Sequence, residues 1–458
     1  MLGDSGRGRS GAMAHAFFVE DLIPKDHILR RIDAVLDTSW VRAEVVGCYG
    51  TTGRPSWDPE VIVRMMLLGY LFGFSEVRLC DEVAMHLGYR WFCLLQPSDA
   101  VPDRTTLVKL RNERWQQEVW RRILEKTIQA CLEAGLVSGR HVAIDGTQVR
   151  ANAAMGSVEP ISPPLPLDEY LLERAGWEKF VPEKDEPPAK DKKDKKDKDD
   201  DEPRPAGSAD WRGEKVTNAT HRSTTDPDAL LYRKGNGVGA QLSYLVHIGV
   251  DTRSRVALGV RSTQARTSAE WEAGEALLDD IRAVVGGRLK VVSADQGYGV
   301  REFLEAVVER GLEPHIPVQG RREEQAEPGG RRRRVVSIVS HREATRKRAT
   351  LRARNRAVRA MRTRGYRISR RLRLRIEHFF GEGKTCHGLG RARYRGLAKV
   401  DHQAVLTAAV MNLKRLAAWV HRRSAAVLVN RVPELITQSP RGTCQIFVVP
   451  PILQPVAP

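Results

Sequence analysis

Apolar residues recur at helical spacing through the first third of the chain. In PKDHILRRIDAVLD, Ile28, Ile32, Val35 and Leu36 form one stripe behind Pro24. DPEVIVRMMLLGYLFG follows, with Asp58 placed to cap it and Pro59 at the first helical position. SEVRLCDEVAMHLG opens at Ser75 and is expected to stop at Gly88; PDRTTLVKLRNERW starts another helix. Residues 15–135 therefore read as an all-helical N-terminal domain. With Arg104, Lys109 and Arg111 expected to face outward, these short helices suit either a DNA-binding helix-turn-helix or a plain helical bundle.

From residue 140 the pattern changes to strands. HVAIDGTQV (141–149), AQLSYLVHIGVD (240–251) and RVALGVRSTQ (255–264) are apolar runs, the last two a hairpin across TRS. SAEWEAGEALLDDIRAVVG (268–286) is an amphipathic helix capped by Ser268. The strand LKVVSADQG, the helix VREFLEAVVERG and the short strand LEPHIPVQ follow. This order predicts an α/β domain over residues 140–425, a mixed sheet flanked by helices. An insertion at about 152–222 interrupts it. Its middle, 183–208, is charged and almost without apolar residues, cannot bury enough surface to fold, and reads as disordered. Further on, an Arg-rich stretch reads as helical from about Glu343, a final helix spans 401–423, and residues 426–458 read as an irregular tail.

Charge sharpens the picture. The 458 residues carry a net charge of +18. Between Arg321 and Arg375 there are 21 Lys and Arg against 4 Asp and Glu, a surplus of 17 in one segment. Such a block faces a polyanion, and nucleic acid fits it better than a merely solvated loop. The six cysteines are scattered, with no paired spacing, which suits reduced thiols. The N-terminus has no apolar core of a signal peptide, and the longest apolar run, MMLLGYLFGF (65–74), is too short to span a bilayer. A cytoplasmic protein without a membrane partner is expected.

One strand carries an acid and another ends in one. Asp145 lies in VAIDGT and Asp295 in VVSADQG. If those strands are adjacent, the two carboxylates share one edge of the sheet and repel unless a cation pairs with them. Oxygen ligands favour Mg²⁺ or Mn²⁺. The best third acid is Glu377, with Arg373 four residues before it and Lys384 seven after, all on one helical face. Glu382 is the rival, on another face. Two metal ions could activate a water or a 3′-hydroxyl against a phosphodiester, while the basic block, including Arg331, Arg332, Arg333 and Arg334, grips the backbone.

These residues resemble the DDE transposases of bacterial insertion sequences. The resemblance covers roughly residues 15–425. AIDGTQVRANA resembles the strand of the first acid, STTDPDALLYRKG the segment before the second strand, SADQGY the strand of the second acid, and HGLGRARYRGLAKV the stretch after the third. Arg373, Glu377 and Lys384 match the last three letters of the family's Y-R-E-K signature; its Tyr position is occupied by Arg370, with Tyr366 one turn earlier. The resemblance implies a ribonuclease H-like core, two Mg²⁺ or Mn²⁺ ions on Asp145, Asp295 and Glu377, and cleavage and strand transfer at the ends of the element. It implies double-stranded DNA as partner and a homo-oligomer on that DNA. The alternatives are an inactive DNA-binding descendant, or a nuclease of the same fold without strand transfer.

Other patterns lead elsewhere. Asp145-Gly146-Thr147 has the wrong order for an aspartic protease. His378, Cys386 and His387 lack zinc-site spacing. GNGVG (235–239) lacks the Lys-Ser/Thr of a phosphate loop and reads as a turn. Asp226 and Asp228 are expected to fix a turn, and Trp271 to pack in the core.

Overall fold

The computed structural model describes residues 18–50, 56–115, 117–161, 216–233, 235, 239–266, 269–320, 322–323 and 338–436. The expected disorder of 183–208, Arg331 to Arg334, and residues 437–458 lie outside the described residues.

The helical first third forms α1 (Ile28–Asp33), α2 (Val41–Val45), α3 (Pro59–Leu71), α4 (Glu76–Met85), α5 (Leu87–Phe92), α6 (Arg104–Lys109) and α7 (Gln117–Glu133). The expected caps are in place: Asp58 accepts from the Glu60 amide at 2.9 Å, and Ser75 from that of Arg78 at 3.3 Å. Gly88 is not the stop of α4. His86 turns extended and caps α5 instead, accepting from the Gly88 amide at 3.0 Å. Arg104 and Lys109 are exposed, but Arg111 points inward. It pairs with Glu76 and lies against the Tyr394 ring, 3.7 Å from its centre.

The sheet contains β1 (His141–Arg150), β4 (Leu230–Tyr232), β5 (Gln241–Asp251), β6 (Ala257–Gln264), β7 (Val291–Ser293) and β8 (Glu313–His315). β1 lies between antiparallel β5 and parallel β7, and β8 follows β7 in parallel. β4 and β6 share the far edge of β5. Three antiparallel strands followed by two parallel ones is the ribonuclease H-like order. α8 (Ala269–Val285) packs on β5 and β6, and two glycines let it come close. A Cβ on Gly249 would stand 2.3 Å from Ile281 Cδ1, and one on Gly259 2.7 Å from Leu277 Cδ1. α9 (Arg301–Glu309), α10 (Ile338–Met361), α11 (Arg364–Cys386) and α12 (Leu397–Ile436) complete the described elements. α12 corrects the expected tail: residues 426–436 are helical.

α12 packs on β6, α7, α3 and α1, so one apolar core runs through the helical region and the sheet. It also satisfies the exposed edge of β6. Asn412 accepts from the Ala257 amide and donates to its carbonyl, at 2.8 and 2.9 Å. Asp401 accepts from the Ser262 amide at 2.9 Å, and from Gln117 and Arg121 of α7 at 2.7 and 2.6 Å.

β2 (Val158–Pro160) and β3 (His221–Ser223) pair antiparallel at the two ends of the insertion. Because this stem closes the chain before the charged segment begins, deletion of residues 183–205 should leave the melting temperature within a few degrees of the parent. Circular dichroism melting checks this; an unfolded deletion variant would make the segment structural.

Candidate active site

The register of β1 and β7 builds the site. Ala143 stands opposite Ser293 on parallel strands. Two residues further along come Asp145, midway along β1, and Asp295, just past the end of β7, so the two carboxylates lie side by side where β7 leaves β1. Asp145 accepts from the Gly146 amide at 2.8 Å, and Asp295 caps the turn over Gln296–Tyr298 through the Gly297 amide at 3.0 Å. Burial, then the neighbouring Asp295, push the Asp145 carboxyl up to about 6.

α11 packs against β1, β7 and β8 and carries Glu377 near its middle. Arg373, one turn earlier, donates to Asp145 Oδ2 at 3.4 Å and to Glu377 Oε1 at 3.3 Å. One guanidinium thus ties the acid of the first strand to the acid of the helix. Arg373 belongs to the basic block expected to grip a nucleic-acid backbone, yet in the fold it bridges two carboxylates. Lys384 lines a cleft further along the same helix, and Arg370 is exposed. Tyr366 sets its ring edge-on to His315, 6.0 Å between centres.

Glu382 is engaged elsewhere. Lys414 and Arg415 of α12 donate to its two oxygens at 2.6 and 2.8 Å. The His387 imidazole, with Lys414 and Arg415, holds its carboxyl well below the usual range. His387 in turn bonds the Tyr70 carbonyl through Nδ1 at 3.0 Å, which makes it a structural link. Asp226 and Asp228 do more than fix a turn. Asp226 accepts from Tyr244 Oη and the Gly396 amide at 2.7 and 3.0 Å, and Asp228 from the Leu397 amide at 3.0 Å, so the pair anchors the start of α12. Trp271 packs against the core.

The sequence reading missed Glu270. It sits in the first turn of α8, and its Oε2 lies 2.9 Å from where a Cβ on Gly297 would stand. Burial and Asp295 raise its carboxyl, and it helps to raise that of Asp145. An acid at a helix start is ordinary, so no sequence signal marks it. Tyr298, also missed, is fully buried beneath this cluster, its hydroxyl 3.3 Å from His247 Nδ1. Burial, then Asp145, Glu270 and Asp295, keep that phenol protonated.

Among the described residues no three His, Cys, Asp or Glu side chains converge as a ready metal site. The donor chemistry nevertheless fits a hard divalent cation. Carboxylates side by side repel, and Arg373 now supplies the nearest positive charge to two of the acids.

Two family models match the sequence. One described as Transposase domain (DUF772) matches residues 17–113, and one described as Transposase DDE domain matches residues 217–413. The chain belongs to the DDE transposases of insertion sequences. The second match contains Asp295, Glu377 and all of α11, while Asp145 lies between the two matches. No solved structure matches the chain. As a DDE transposase it is an enzyme with a ribonuclease H-like fold that binds DNA, cleaves strands and transfers them; the family generally uses divalent metal ions. Among the described residues no helix is long and apolar enough to cross a membrane.

Proposed function

We propose that Asp145, Asp295 and Glu377 are the acids through which this transposase holds two Mg²⁺ or Mn²⁺ ions at the ends of its own element. The observation that supports the assignment is the β1–β7 register, which brings Asp145 beside Asp295, together with Arg373, which ties Glu377 to Asp145. Ions held there would lower the pKa of an attacking water or 3′-hydroxyl and stabilise the leaving oxygen. The chain's own groups do the rest. The three carboxylates supply the negative charge that concentrates cations on the sheet edge. Arg373, which neutralises Asp145 and Glu377 here, lies one turn from Glu377 and would be free to meet a phosphate if a metal ion held those acids. Arg364, Arg367, Arg370 and Arg371, all exposed on the first two turns of α11, flank the acids on one side and Lys384 on the other. In the same reading Arg331, Arg332, Arg333 and Arg334 contact DNA phosphates. The enzyme acts as a homo-oligomer on double-stranded DNA, because joining two ends needs two sites, and it works in the cytoplasm.

Metal binding tests the assignment. Mn²⁺ should raise the melting temperature by several degrees at about pH 7.5 and by little at about pH 5, where Asp145 carries its proton. Without metal the sign reverses. Because the folded pKa of Asp145 is raised to about 6, its favourable contribution is present below the ordinary aspartate value and is lost as pH rises through about 6. An equal Mn²⁺ effect on an Asp145→Asn, Asp295→Asn double variant would defeat the assignment.

A further inference from the structure

We propose that a cleft beside the acids holds the sugar–phosphate backbone of duplex DNA about five nucleotides from the phosphate under attack. The cleft has a volume of about 710 Å³. It lies where the end of β1, the last turn of α11 and the segment after that helix meet. Arg150, Lys384 and Arg391 line it, and among the described residues no Asp or Glu does. This placement deepens the assignment of the three acids and rests on it, since the distance is counted from Asp145.

The backbone is built to hold two of these cations together. α11 ends at Cys386, and Gly388 takes a left-handed φ of +72°, which turns the chain back toward the sheet. The returning segment then pairs with the end of β1. The Arg150 amide donates to the Gly390 carbonyl at 3.2 Å, and the Ala392 amide to the Arg150 carbonyl at 2.7 Å, with Arg150 directly opposite Arg391. Like charges facing each other across a strand pair are unfavourable. Both side chains are exposed, and among the described residues neither has an acidic partner. Two arginines fixed side by side without a carboxylate make a site for an anion. The opposite wall has Gly235 and Gly239, where a Cβ would meet nothing within 4 Å.

Geometry selects the occupant. Arg150 lies five residues beyond Asp145 on the same strand, a distance of about 16 Å. At roughly 3.4 Å of helix rise per phosphate on one strand, this corresponds to about five nucleotides. The odd offset turns Arg150 to the other face of β1 from Asp145, but β7 leaves β1 after Ala143, so a duplex that crosses this edge with its scissile phosphate at the acids can lay its backbone in the cleft. A free phosphate or a nucleotide would leave most of the volume empty.

The test uses the full-length protein and a short duplex of unrelated sequence, since backbone contacts do not read bases. The Arg150→Gln, Arg391→Gln double variant should flatten the dependence of log affinity on log salt by about two, one unit for each lost phosphate contact. The Arg150→Lys, Arg391→Lys variant should keep the slope. An unchanged slope in a folded Gln variant would overturn the proposal, as would equal loss of slope in the Lys variant. Ethylation interference on the wild-type protein with its own cleaved end gives a reading that needs no variant. Modified phosphates about five positions from the cut should block binding, and indifference there would also overturn it. Tight binding of polyglutamate with no change in DNA slope would assign the cleft to an acidic protein and reject DNA. Failure of the acid assignment looks different, because Asp295→Asn would then still cleave while the slope results stood.

Discussion

Asp295→Asn should lower strand cleavage by about a thousand-fold or more while leaving DNA affinity within a factor of about two. The substitution keeps the shape of the side chain and removes one charge. Asp295 can still accept through its remaining oxygen from the Gly297 amide, so the turn over Gln296–Tyr298 keeps its cap. What is lost is half of the carboxylate pair that β1 and β7 create. The Asp145 carboxyl, relieved of that neighbour, should move back toward the ordinary aspartate range. Single-turnover cleavage of an end-bearing duplex, with binding measured in parallel without metal, checks both halves. Cleavage at the parental rate would remove Asp295 from the chemistry. Lost binding at normal melting temperature would mean that it serves the DNA surface instead.

The second large effect separates the two glutamates of α11. Glu377→Gln should abolish cleavage to a similar degree and leave the melting temperature almost unchanged. Glu377 is half exposed, and its ion pair to Arg373 is long; such a pair contributes little to stability. Glu382→Gln should do the reverse. It leaves Lys414 and Arg415, the latter only 10% exposed, without their counter-charge. Breaking a partly buried cluster of this kind costs roughly 2–4 kcal/mol and several degrees of melting temperature. The surviving folded fraction of that variant should still cut DNA. If instead Glu382→Gln stays stable and inactive, the third acid has been placed on the wrong residue.

The chemistry was easier to read from the sequence than its surroundings. Asp145 and Asp295 stand out because buried apolar runs do not end in carboxylates without a partner, and the strand order follows from the spacing of those runs. Helical offsets place Arg373, Glu377 and Lys384 on one face, but an offset cannot say what lies opposite that face. Arg373 therefore meets Asp145, 228 residues away in sequence, with no local sign of it. Arg111 looks like a surface cation because it is charged; its partners Glu76 and Tyr394 belong to distant segments. The basic block reads as uniformly aimed at a polyanion. In the fold, Arg356 pairs with Glu313, Arg359 with Glu323, and Arg354 and Arg375 donate to backbone carbonyls, so part of the block fastens α10 and α11 to the domain. Glu270 was invisible for the same reason: only the folded sheet brings the start of α8 beside the turn after β7.

The position of α12 has a consequence for synthesis. Residues of α1, α3 and α7 are covered by a helix that begins only at Leu397. Gln117 and Asp401 meet across 284 residues of chain. Nascent transposase must therefore carry uncovered leucine and methionine surface on α3 until α12 has been made, in the state most open to aggregation and to chaperone capture. A copy of the gene truncated before α12 would yield neither a cutting enzyme nor a stable DNA-binding competitor, but a chain destined for proteolysis.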